Sequence, residues 1–224
     1  MKHILYAGFL ISAASLVSFS NEGGFYLSAE AGVHYLNGEH TFAAPTGEGK
    51  ETVKKVAFAP HIGGGYIYLM ANRTYVGADI HYLFQNSKKD INLTPKDFPS
   101  QGKATLNHKS SFQGRAYFGM MLNPRVGAHV SLALEKGKIE ATYKNLTYGT
   151  QSKEKYSKNY TNIIPGLGVM YRFNQKLFAH VNYQYVPFKK ITFRSLDTTV
   201  NGAQRGCAYK PNEHRLTMGL LYKF

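Results

Sequence analysis

Apolar and polar residues alternate along this chain in eight separate stretches. In the first, Phe25, Leu27, Ala29, Ala31, Val33 and Tyr35 interleave with Tyr26, Ser28, Glu30, Gly32 and His34. An extended strand sends successive side chains to opposite faces, so each stretch has one greasy face and one of small or polar groups. The pattern recurs over Val56–Tyr68, Val76–Phe84, Phe112–Leu122, Val126–Leu134, Ile163–Phe173, Leu177–Tyr185 and Leu216–Phe224. Leu216, Met218, Leu220, Tyr222 and Phe224 share the apolar face of the last stretch, which ends on an aromatic residue. A chain that finishes inside a strand is expected to close a sheet.

The connections alternate in length. Met70 to Arg73, Asn123-Pro124 and Asn174 to Lys176 read as tight turns. Residues 37–52, 86–107, 136–157 and 194–210 read as long polar loops rich in Lys, Gly and Thr. The chain is therefore predicted to be all-β, an eight-stranded antiparallel up-and-down transmembrane β-barrel with short turns on one side and loops on the other. Aromatics near the strand ends suit an interfacial girdle. Pro60 and Pro165 remove ladder donors and are expected at bulges near the loop-side rim. A soluble barrel would bury its apolar face inside. Here one face holds Leu, Phe and Val while the other holds Gly and ionisable groups, and a narrow eight-stranded interior fits the second set.

The N-terminus changes the compartment. Lys2 and His3 precede an apolar run from Ile4 to Val17, then Ser18-Phe19-Ser20. This reads as a secretory signal peptide over residues 1–20, leaving a barrel domain over 21–224. Export makes nucleic acid an unexpected partner despite a formal net charge of +14. The charge then points to anionic lipid or acidic glycan. A single cysteine, Cys207, excludes an intramolecular disulfide and is expected to be an unpaired loop thiol.

The stretch Phe178 to Tyr185, the closing strand and the Gly-rich inward faces carry a resemblance to small outer-membrane barrels. These are typified by the transmembrane domain of outer membrane protein A and by the neisserial opacity adhesins. The resemblance implies that Leu220, Tyr222 and Phe224 form an assembly signal read by the barrel-assembly machinery. It implies a monomer in the cell outer membrane, termini periplasmic and loops outward, in contact with membrane lipid and lipopolysaccharide. No cofactor is expected, nor a peptidoglycan-binding domain after the barrel.

Candidate chemistry falls in two places. The alternation turns Glu30, Asp79 and Glu135 inward together with Arg115, Arg125, Arg172 and Arg215. Charges confined in a narrow barrel must pair, so a charge network filling the lumen is expected. The alternative is a small-conductance porin gated by exchange of one such pair, as the resemblance allows. His34, His61, His81, His129 and His180 map inward as well, without metal-ligand spacing, and no metal site is expected. In the loops, Lys144, Lys153, Lys155 and Lys158 interleave with aromatics including Tyr148 and Tyr156. These are candidate contacts for acidic host glycans or host surface proteins, through steering and aromatic packing. A lipid A-modifying enzyme would need Ser111, His108 and His214 to gather at one rim, and no such set stands out. The reading is a non-enzymatic surface protein, structural, antigenic or adhesive.

Overall fold

The structure is a computed structural model that describes residues 23–44, 47–70, 73–85, 87–92, 101–147, 150–194 and 206–224. The predicted signal peptide and Tyr148 lie outside these residues. Eleven strands form one antiparallel sheet, and the described residues contain no helix. Eight of the strands close a ring. They are β1 (Gly23–Ala44), β2 (Gly47–Leu69), β3 (Thr74–Leu83), β6 (Ser111–Met121), β7 (Val126–Thr147), β8 (Thr150–Arg172), β9 (Leu177–Pro187) and β11 (Gly206–Lys223). The first and last strands pair along Tyr26↔Lys223 to Phe42↔Cys207, and β7 pairs β8, so the ring has no open edge. Closure is what lets strands cross a membrane, because every backbone group then finds a partner.

Burial alternates residue by residue. β6 reads buried-exposed along its whole length, with Phe112, Phe118 and Met120 outward and Gln113, Arg115 and Tyr117 inward. Leu27, Phe58, Ile80, Val130, Leu132, Leu167 and Met218 are all more than half exposed on the outer face. Such a surface suits lipid and no aqueous solvent. Outward aromatics pair near both ends, for example Tyr222 with Phe224 and Tyr82 with Phe84.

Two of the short turns share one chemistry. The Asn123 carboxamide accepts from the backbone N–H groups of Arg125 and Val126, and Asn174 does the same for Lys176 and Leu177, all at 2.8 Å. These are Asx turns. In the turn before β3, Arg73 sits at φ 67°, a left-handed conformation that L residues adopt at a cost.

The loop expectation needs correction. β1 and β2 stay paired out to Ala44↔Gly47, and β7 and β8 out to Thr147↔Thr150. β4 (Ser87–Asn92) and β5 (Gln101–His108) form a hairpin that pairs onto the outer half of β7. β10 (Ile191–Arg194) pairs the start of β11. The sheet thus runs past the rim as hairpins. Alternation fades there because both faces may be polar once the strand has left lipid, while β-formers such as Thr, Tyr and Val remain.

Both prolines sit where a ladder ends. β2 pairs β3 only from His61 onward, and β8 pairs β9 only from Gly166 onward. Pro60 and Pro165 each lie one residue beyond, and each stays in register with its other neighbour, Ala31 of β1 and Leu132 of β7. The Pro60 carbonyl still accepts from Phe84 N–H at 2.9 Å.

Candidate functional site in the lumen

The interior is built in layers. At the turn end Tyr26, Ile67, Tyr75, Tyr117, Met121, Met170, Phe178 and Leu221 pack as one apolar cluster. Its rings need room. A Cβ at Gly77 would collide with the Tyr117 ring, and one at Gly119 with the Tyr75 ring. Each glycine is the cross-strand partner of its tyrosine on the adjacent strand, so the ring lies over a backbone with no side chain. At the hairpin end a second cluster joins Leu36, Ala133, Ile139, Ala141, Tyr160, Ile164, Val186 and Phe188.

Between these clusters lie two groups of charges. In the first, Arg115 of β6 donates to both oxygens of Asp79 on β3, Nη2 to Oδ2 at 2.8 Å, and reaches Glu30 of β1 at 3.2 Å. Tyr26 gives its hydroxyl proton to Asp79 at 2.6 Å. Three imidazoles surround Glu30: His180 Nε2 at 3.2 Å, His81 Nδ1 at 3.4 Å and His61 Nδ1 at 3.7 Å. In the second group, Arg215 of β11 holds Glu135 of β7 through Nη1 and Nη2, and Glu213 through Nε at 2.9 Å. Tyr160 donates to Glu135 at 2.7 Å. His34 Nδ1 lies 2.6 Å from Glu213. The same layer holds Gln113 and Gln184, whose amides bond each other from strands that are not neighbours.

All these charged groups are at most 5% exposed. A charge so deep is tolerated only when paired and hydrogen-bonded, and both guanidiniums meet two carboxylates. These contacts tie β3 to β1 and β6 in the first group and β7 to β11 in the second.

The sequence-predicted residues divide as follows. Glu30, Asp79, Arg115, Glu135 and Arg215 sit in the two groups. Arg125 and Arg172 do not, which corrects the predicted network. Arg125 is exposed on the turn before β7, and Arg172 is half-buried at the turn-end mouth. The apolar cluster containing Met170 and Phe178 separates both from the lumen carboxylates. Glu213 was missed. It lies two residues before Arg215 on β11, hence on the same face, and the predicted strand begins only at Leu216. His108 and Ser111 are buried inside, whereas His214 points to the outer face and bonds Tyr183 hydroxyl at 2.7 Å. The three cannot act on one substrate. Among the described residues no cluster of His, Cys, Asp or Glu is arranged to hold a metal ion.

Lys138 and Lys155 of the β7–β8 hairpin and Lys109 of the β5–β6 link converge on the Glu140 carboxylate at 3.3 to 3.4 Å. Burial pushes the Glu140 carboxyl up, but its contacts with Lys155 and Lys109 outweigh that and hold it below the ordinary range. Lys158 is exposed nearby in sequence. Tyr156 is half-buried and packs against the hairpin-end cluster. Lys144 and Lys153 are opposite each other in register.

The chain matches the family of the outer membrane protein beta-barrel domain over residues 4–224. No curated protein matches it. Among solved structures it is similar to Neisserial surface protein A, at 16% identity over 90% of this chain and 97% of that one, TM-score 0.42. It is similar to Ail of Yersinia pestis, at 14% identity over 88% and 98%, TM-score 0.41. It is similar to OprG of Pseudomonas aeruginosa, at 9% identity over 91% and 97%, TM-score 0.44.

Proposed function

The chain belongs to the outer membrane protein β-barrel family, and from that premise we propose that it is a non-enzymatic surface protein with a filled lumen. Its termini and short turns face the periplasm and its hairpins face outward. The observation that carries this reading is Arg215, fully buried and bound to carboxylates from β7 and β11. That bridge and the apolar cluster at each end leave side chains where a pore would need water.

Function then falls to the hairpins. Lys109, Lys138 and Lys155 set three positive charges against the one carboxylate of Glu140. Such a patch suits an acidic glycan or an acidic protein surface, drawn in by steering that salt weakens. The test is binding of the refolded protein to immobilised heparin across a salt series. Salt-sensitive retention, lowered several-fold by replacing Lys109, Lys138 and Lys155 with Ala, is the expected result. Binding that is absent, or indifferent to salt and to the replacements, overturns the adhesive role.

A further inference from the structure

The buried imidazoles are not equivalent. A neutral imidazole carries one N–H and one bare nitrogen, so it is satisfied when one nitrogen faces an acceptor and the other a donor. His180 meets this condition, with Nε2 toward Glu30 and Nδ1 accepting from the Asn182 amide at 2.9 Å. His129 meets it too, with Nε2 toward the Asn182 oxygen at 2.6 Å and Nδ1 accepting from Tyr75 at 3.1 Å. His81 turns Nδ1 to Glu30 at 3.4 Å, and its Nε2 lies between Arg115 Nη2 at 3.1 Å and Asp79 Oδ1 at 3.2 Å.

His34 and His61 do not. They form a line that starts at Glu213, passes to His34 Nδ1 at 2.6 Å, then from His34 Nε2 to His61 Nε2 at 3.3 Å. It ends where His61 Nδ1 faces Glu30 Oε2 at 3.7 Å, an ion-pair distance. The line has three contacts, with a carboxylate at each end. Two neutral rings supply two protons, so one contact is left with two lone pairs facing each other. A third proton completes all three. A fourth is forbidden, because two N–H groups would then point at each other across the Nε2–Nε2 contact.

We infer that His34 and His61 form a single proton-binding site that takes up one proton between them and links the two charge groups of the lumen. From β1 and β11 the pair faces Glu30, Glu213 and Arg215. From β3, β6 and β9 it faces Asp79, His81, Arg115 and His180 across Glu30. Glu135 of β7 lies behind Arg215, and buried His108 of β5 is near Glu213. The charge groups together hold four carboxylates and two guanidiniums, an excess of two negative charges that the shared proton halves. The proton count does not depend on whether the lumen conducts.

The experiment is histidine nitrogen NMR on the refolded, ring-labelled protein in micelles, titrated over the pH range in which a heat-dependent gel shift reports folding. The expected result is that His34 and His61 signals move together in one step that totals one proton. His61→Gln should abolish the His34 titration and leave the His129 signals in place, with His34→Gln the reciprocal variant. Two protons taken up by the pair in the folded protein, or none, overturns the site. So does a His34 titration that His61→Gln leaves unchanged. The titration of the unsubstituted protein decides the matter even if neither variant folds. Bilayer conductance, measured separately, decides the filled-lumen reading and leaves this count untouched.

Discussion

The two charge groups of the lumen have the same stoichiometry, two carboxylates to one guanidinium, and different company. The Arg115 group carries three imidazoles on Glu30 and a tyrosine on Asp79. The Arg215 group carries one imidazole on Glu213 and one tyrosine on Glu135. If Arg115 is lost, His61, His81 and His180 remain against Glu30, and Tyr26 and His81 remain against Asp79. If Arg215 is lost, Glu135 keeps a single hydroxyl, and Glu213 keeps His34. Equal charge therefore need not mean equal tolerance: what matters is how many polar neighbours each carboxylate keeps.

The largest effect expected is from Arg215→Ala. It strands two carboxylates and should cost about 3–5 kcal/mol, the usual penalty for breaking a buried pair. Urea unfolding in lipid vesicles would measure it. Arg115→Ala should cost less, about 1–3 kcal/mol, because the imidazoles around Glu30 compensate. If the two costs come out equal or reversed, imidazole compensation is wrong. Tyr160→Phe removes one donor from Glu135 and should cost about 1 kcal/mol by the same measurement. At the small end, Lys155→Ala on the hairpin should stay within about 0.5 kcal/mol, since exposed ion pairs contribute little to stability. Its effect belongs to heparin retention.

The barrel was legible because lipid imposes a strict rule. Every second residue from Leu216 to Phe224 must be apolar, and so the alternation marks strands, count and faces together. The rule stops at the lipid boundary. Beyond it, residues 136–147 lose their apolar outer face while still pairing, and a polar reading took the hairpin for a loop. Inward positions were legible by parity alone, which placed Glu30, Asp79, Arg115, Glu135 and Arg215 correctly along their strands. Parity says nothing of depth. Arg172 has inward parity yet lies at the mouth, because Met170 and Phe178 close the bore above it. Pairing across the bore is beyond parity as well. That Glu213 faces His34, and His34 faces His61, depends on the stagger of β11, β1 and β2, which the ladder sets.

The central claim is that the lumen is filled by its own side chains. Ion conductance of the refolded protein in a planar bilayer, with folding confirmed by the heat-dependent gel shift, tests it most directly. A silent bilayer is the predicted result. Discrete, reproducible current steps would contradict it, because they require a water-filled path past Arg215 and both apolar clusters.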